Sequence, residues 1–319
     1  MSSTSIPPAL PLPLSSAPDS VPTSRRWPQR LARAVALLGI ALTALAFVLY
    51  GVSWRRQHTV FTAARSDFAI PTDAASIAEG ERLFHARGCA ECHGEDAGGR
   101  VMIDDPALGR LVSANLTYFA SASPQSWSQA VRDGLRASGE PLMLMPAGEL
   151  NPMPDRELGA IVAYVRSLPR VVHELPPLAL GQVGRSIDLA GLLPLMPAHD
   201  IDHRARPAEI PTGRTPEMGA YLGRMCTNCH GAHLSGGPVP GAPPEMGIPA
   251  NITFDETGLA GWSEEDFRRV LREGQTPDGR QIDPAQMPWR TFLSHLSDDE
   301  IGALYDYLQT VPHRHAGER

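Results

Sequence analysis

Cys89-Ala90-Glu91-Cys92-His93 and Cys226-Thr227-Asn228-Cys229-His230 are the stretches from which the rest of the chain can be read. Cys-x-x-Cys-His is the attachment signature of a c-type haem. Its two thiols add to vinyl groups along one porphyrin edge, and the adjoining imidazole is placed to ligate the iron. The chain has four cysteines, and the two pentapeptides use all of them. A bare Cys-x-x-Cys is also found as a redox disulfide or as half of a zinc site, so the four thiols together make one alternative zinc site. That alternative leaves the His at the same place in both copies unexplained.

Working outward, each pentapeptide lies in the same order of landmarks. Gly80 and Leu83 before Cys89 match Gly219 and Leu222 before Cys226, with two residues fewer in the second copy. Ala114-Asn115-Leu116-Thr117 matches Ala250-Asn251-Ile252-Thr253, and Val131-Arg132-Asp133-Gly134 matches Leu271-Arg272-Glu273-Gly274. Met145-Pro146 matches Met287-Pro288, and the stretch from Pro154 to Pro169 matches Ser297 to Pro312. One unit of about 95 residues is therefore duplicated, each copy with its own cysteine pair and its own Met. Each copy closes on an amphipathic helix with its apolar residues at helical spacing, including Leu158, Ile161, Val162 and Val165 in the first.

The organisation expected is a disordered cytoplasmic N-terminus over 1–33, a transmembrane anchor over 34–54 and a tether over 55–73. A first haem domain follows over 74–169, then a Pro-rich linker over 170–213, a second domain over 214–312 and a tail over 313–319. The run Ala34–Trp54 is uncharged and about as long as a helix needs to cross a hydrocarbon core. Arginines precede it, which favours a cytoplasmic N-terminus and haem domains in the periplasm of a bacterial inner membrane, single-pass. The competing reading is a cleaved signal peptide, with Ala44-Leu45-Ala46 as its small-residue site.

Charge narrows the partners. Formal net charge is −7, but six of the 28 basic residues and only one of the 35 acids lie in residues 1–56, leaving −12 on the remainder. That sign disfavours nucleic acid. It suits a basic face on a redox partner protein.

A haem iron held by His93 or His230 still has a sixth position, and its occupant decides the chemistry. Thioether sulfur stabilises ferrous iron and suits electron transfer, whereas an open position suits ligand binding or peroxide chemistry. The repeated Met-Pro pairs make Met145 and Met287 the candidates, with Met143 and Met153 as rivals in the first copy. Asn115, Thr117, Arg132, Asn251, Thr253 and Arg272 are candidates for hydrogen bonds or ion pairs to the haem propionates. The remaining histidines show no matched pair at ligand spacing and are expected on the surface or in loops.

Gly219-Ala220-Tyr221-Leu222, the second pentapeptide with Gly231, Asn251-Ile252-Thr253, Gly258 to Ser263, Leu271 to Gly274, Pro277-Asp278-Gly279, Met287-Pro288 and Asp299-Glu300 carry a family resemblance. On these residues the chain resembles small class I cytochrome c domains, in particular the multihaem cytochrome c subunits of membrane-bound bacterial sugar and alcohol dehydrogenases. The resemblance implies an all-α fold of two tandem haem domains, each with three or more helices around its haem. It also implies two covalently bound haem c groups, His/Met ligation and a one-electron carrier. The chain departs from those subunits in having two motifs where they have three.

The function expected is a membrane-anchored, periplasmic di-haem cytochrome c. It would carry electrons from a dehydrogenase or quinol-oxidising complex to an oxidase or another cytochrome. A di-haem peroxidase-like enzyme and a haem-based sensor or assembly module are the alternatives, and the matched Met-Pro pairs weigh against both.

Overall fold

The computed structural model describes residues 26–193, 195–204, 206, 209–239 and 247–318. Residues 1–24, expected to be disordered, lie outside the described residues. The chain divides into two compact units, Met1–Val48 and Leu49–Arg319. In the first, helix α1 (Arg26–Gln57) begins well before Ala34, so the Arg-rich lead-in expected to be disordered is helical from Arg26. Its apolar side chains are exposed, Leu37 and Phe47 among them. Trp27–Gln57 is long and apolar enough to cross a membrane.

The second unit holds both repeats. In the first, α2 (Ala74–Ala86) leads to the short α3 (Cys89–His93), followed by α4 (Leu116–Phe119), α5 (Pro124–Arg132), α6 (Ala147–Leu150) and α7 (Asp155–Ser167). In the second, α9 (Pro216–His230) carries the attachment motif, α10 (Glu264–Glu273) follows, and α11 (Asp298–Thr310) closes the unit. Helix starts follow local chemistry. The Asp73 carboxylate accepts from Ser76 N at 2.9 Å to cap α2, and Ser263 and Ser297 open α10 and α11 with full capping boxes.

The same crossing fixes each repeat. α2 packs on α7 at Gly80, and α9 packs on α11 at Gly219. A Cβ on either glycine would overlap the carbonyl oxygen of Ala160 or Ala303. Only a residue without a side chain lets the two backbones approach so closely. Gly219→Ala is expected to force the helices apart and to lower the unfolding free energy by about 1–3 kcal/mol, the usual cost of overpacking. Denaturant unfolding of the purified protein checks this, and an unchanged midpoint would mean the crossing has slack.

Two features depart from a purely helical reading. The Gly-rich stretch after His93 forms a hairpin, β1 (Val101–Asp105) with β2 (Gly109–Val112), and the linker adds β3 (Ala179–Leu180) to give an antiparallel sheet ordered β1-β2-β3. The linker then forms α8 (Gln182–Leu189) and a 3-10 turn at Pro197–Asp200. The stretch expected as a tether packs down as well: Phe61 N donates to Gly139 O, Ala64 N to His203 O, and Phe68 is buried. The end of the chain is also held, with Gly317 N on Ser235 O at 2.9 Å.

The two repeats share one continuous apolar core. Within it lies a buried ionic joint. Arg87 donates to both oxygens of Glu157 at 2.9 and 3.0 Å and to Glu300 at 2.5 Å. Arg82 donates to Glu300 at 2.6 Å, and Tyr221 Oη to Glu157 at 3.2 Å. Glu157 and Glu300 occupy the same place in the two closing helices, so the repeat brings its own equivalents together on one guanidinium. Burial works against the Arg87 charge, but the carboxylates of Glu157 and Glu300 more than offset it and keep the group charged.

Candidate haem sites

The attachment motifs have the same backbone in both copies. His93 and His230 end their helices, and Gly94 and Gly231 follow at φ 79° and 81°, a conformation that glycine adopts without strain. Four residues after each His, Ala97 and Leu234 are again left-handed, at φ 55° and 60°. Each turn closes with a bond to the His carbonyl, from Gly99 N at 2.7 Å and Gly236 N at 2.8 Å.

This turn brings a carbonyl to each imidazole. His93 Nδ1 lies 2.8 Å from Ala114 O, and His230 Nδ1 lies 2.7 Å from Ala250 O. A carbonyl only accepts, so Nδ1 carries the proton in both rings and the lone pair able to ligate a metal is the one on Nε2. Burial pulls the His93 pKa down, while the Ala114 bond pushes it back up, with the net shift downward. The ring is therefore neutral at neutral pH, the form that ligates.

The thiols fit the same purpose. Burial pushes Cys89 and Cys226 up to about 12. A redox dithiol needs a thiolate near neutral pH, so these two lack its chemistry. The four-thiolate zinc alternative also finds no support, since no three His, Cys, Asp or Glu side chains are gathered to hold a metal among the described residues. A pair of thiols beside an imidazole tied at Nδ1 is a set that fits a haem attached through its edge and ligated at its iron.

Met145 and Met287 are both partly buried and packed against the shared core. Each carbonyl accepts from the amide two residues on, Ala147 N and Trp289 N, both at 2.7 Å, so the two Met-Pro turns are the same turn. Met153 is fully buried at the position that Leu296 holds in the second copy, which makes it a core residue. Met143 is half-buried on the same loop as Met145.

The six candidate propionate contacts all have protein partners. The Asn115 side-chain oxygen accepts from Thr117 N and Oγ1, and its amide donates to Val171 O at 2.9 Å. Asn251 does the same with Thr253 and with Arg314 O at 2.7 Å. Arg132 donates to Met153 O and pairs with Asp155 at 2.7 Å; Arg272 donates to Ser294 O and pairs with Asp298 at 3.0 Å. Asn and Thr thus pin the segment after each closing helix, and Arg ties each preceding helix to the start of the closing one. Propionate pairing would require these groups to exchange partners.

Sequence reasoning missed the carbonyls of Ala114 and Ala250, although the repeated Ala-Asn-x-Thr was the signal for them. It also missed Arg87 and Tyr221, which carry no local signature. Of the histidines expected on the surface or in loops, His85 lies buried in α2, its ring stacked on His295 with centroids 4.4 Å apart, and His203 lies in a linker turn but is buried beside Asp133.

A Cytochrome c family model matches residues 77–169 and 219–312, which take in both motifs, both Met-Pro turns and both closing helices. The chain belongs to the cytochrome c family. Membership implies covalently bound haem c and electron transfer. Among the relatives of this cytochrome c, the fructose dehydrogenase cytochrome subunit of Gluconobacter japonicus is 25% identical over 292 residues, 79% of this chain and 56% of the relative. The gluconate 2-dehydrogenase cytochrome c subunit of Pantoea cypripedii is 27% identical over 282 residues, 76% of this chain and 61% of the relative. The cytochrome c subunit of alcohol dehydrogenase (quinone) from Gluconobacter oxydans (strain 621H) is 24% identical over 284 residues, 76% and 56% of the two chains. The chain thus spans under two thirds of the length of these relatives.

Proposed function

We infer that this protein is a membrane-anchored, periplasm-facing cytochrome c with two haems, relaying single electrons from a dehydrogenase to a downstream cytochrome or oxidase. The observation that carries the reading is the doubled arrangement of a His held at Nδ1 by a backbone carbonyl and a Met on an equivalent Met-Pro turn. His93 and His230 would hold the irons from one side, with Met145 and Met287 on the other. Cys89, Cys92, Cys226 and Cys229 would hold the porphyrin edges. Haem c, when bound, supplies reversible one-electron chemistry, and thioether ligation favours its ferrous form. The chain's own contribution is to keep the His93 imidazole neutral, to orient both imidazoles, and to hold both sites on one core through the Arg87 joint.

The dehydrogenase donor is supported by the relatives, which are named as cytochrome subunits of sugar, sugar-acid and alcohol dehydrogenases. The anchor is supported by the apolar helix Trp27–Gln57. Haem quantification with oxidised and reduced spectra of protein extracted from membranes tests the reading. Two covalent, low-spin c haems per chain, each taking one electron, are expected. A high-spin ferric haem with peroxide turnover would make the protein an enzyme instead, and carbon monoxide binding to the native ferrous form would make it a sensor.

A further inference from the structure

The two Met-bearing loops leave Gly134 and Gly274 and return through Leu142 N–Gly134 O and Ile282 N–Gly274 O bonds of 2.7 and 2.8 Å. What lies over the two glycines differs. Over Gly274 stands the indole of Trp289, two residues past Met287 and 8% exposed, with Nε1 donating to Ile282 O at 3.0 Å. The second loop is therefore braced from within. In the first copy the residue two past Met145 is Ala147, which is too small for that task. The side chains over Gly134 are Ala147 and Ala198, the latter from the segment between the domains.

That segment grips the first loop at further points. Leu195 O accepts from Leu144 N at 2.8 Å, and Leu144, the neighbour of Met145, is held left-handed at φ 64°. Leu144 also packs on the small cluster of Leu111, Leu180 and Leu195. Leu195 N donates to the buried Asp188 carboxylate at 3.2 Å, and that carboxylate lies 3.3 Å from Arg56. Outside this layer, the Phe61 ring rests on His199 and His203 with centroids 5.2 and 4.8 Å apart. Exposure records the result: no residue in 139–147 is exposed, whereas in the equivalent 279–289 all are but Ile282, Met287, Pro288 and Trp289.

We propose that residues 195–203 are the distal brace of the first site, standing where Trp289 stands in the second and fixing the Met145 loop from outside. The proposal rests on the reading of Met145 as an iron ligand. Leu195, Ala198 and Asp188 are positioning residues: they act on Met145 through Leu144 and Ala147. The first site is accordingly the closed one of the pair, and its integrity depends on a segment that belongs to neither repeat.

The test uses full-length haem-loaded protein with the variants Leu195→Gly, Asp188→Asn and Trp289→Ala. Two readouts are followed: amide hydrogen exchange in 141–147 and 281–289, and displacement of thioether by added imidazole, seen in the Met–iron charge-transfer band of the oxidised protein. In the parent, exchange is expected to be slower in 141–147 than in 281–289. Leu195→Gly keeps the backbone bonds but removes the buried side chain and loosens the segment, and should speed exchange in 141–147 and lower the imidazole needed at the first site by about tenfold each, the scale set by losing one packed apolar side chain. Asp188→Asn should act in the same direction and more mildly, while Trp289→Ala should affect only the second site. The undisturbed loop serves in each case as the folding control. Equal effects on both loops, or none on the first, would overturn the brace. If exchange responds as described while Met145→Ala leaves both charge-transfer bands intact, the ligand assignment falls and the brace on the loop stands.

Discussion

Arg87→Ala is expected to lower the unfolding free energy of the full chain by about 3–5 kcal/mol, the range for removing one partner of a buried ion pair. Arg87 is 1% exposed and serves both Glu157 and Glu300, so its loss leaves Glu157 with Tyr221 Oη as its close partner and Glu300 with Arg82. Arg87→Lys keeps the charge but not the two-pronged contact, and should recover only part of the loss.

The pH dependence carries a sign of its own. Burial pushes the Glu300 carboxyl up, but the Arg87 and Arg82 guanidinium groups outweigh it and hold the pKa at about 2, below the ordinary 4.5. A group whose folded pKa is depressed contributes stability above its unfolded pKa and loses it as pH falls through the folded one. This contribution should therefore be complete above about pH 4.5 and gone near pH 2. Without Arg87 the folded pKa rises, so the gap between parent and variant should narrow over that window. Guanidinium unfolding followed by circular dichroism at pH 7 and pH 3 measures both effects. A loss under about 1 kcal/mol at pH 7, the range of an exposed pair, would mean that water already reaches the joint.

The second large effect concerns the irons. Met145→Ala and Met287→Ala should each abolish the charge-transfer band of one haem and lower that haem's potential by a few tenths of a volt, within the roughly 0.8 V that axial ligands span. The other haem should keep its band and potential. Met153→Ala should behave differently: it should cost about 2–5 kcal/mol of stability, as for a fully buried Met cut to Ala, and leave both spectra unchanged. Optical redox titration of the three variants separates these outcomes. A band that survives Met145→Ala and disappears in Met143→Ala would move the ligand to Met143.

The parts of the molecule that were legible in sequence are those governed by short spacing. Two cysteines and a His within five residues, a Met-Pro pair, and Ser with an acid three residues on are all set by local geometry. Duplication then allowed each to be checked against its twin. Ala-Asn-x-Thr was visible as a repeat, but its main task is performed by the Ala carbonyl, and a backbone oxygen leaves no side-chain trace. The hairpin, the linker strand and the packed tether escaped because their partners lie far along the chain: Ala179 pairs with Arg110, and Phe61 with Gly139. Arg87 escaped for the same reason, since nothing near it in sequence announces Glu300.

The first repeat is two residues longer than the second between its helix glycine and its first cysteine. That extra length is spent where α2 stops at Ala86, Arg87 caps it and Gly88 turns left-handed at φ 73°, while α9 runs unbroken from Pro216 into the second motif. A small asymmetry between duplicates therefore gave the pair its polarity. Two copies of the second repeat placed face to face would bring two glutamates together with Tyr in place of Arg82, and Arg224, two residues before Cys226 as Arg87 is before Cys89, is carried by the unbroken helix to an exposed place where it donates to Gly148 O. The halves are therefore not interchangeable: the guanidinium groups that the two glutamates share, Arg82 and Arg87, both come from the first copy.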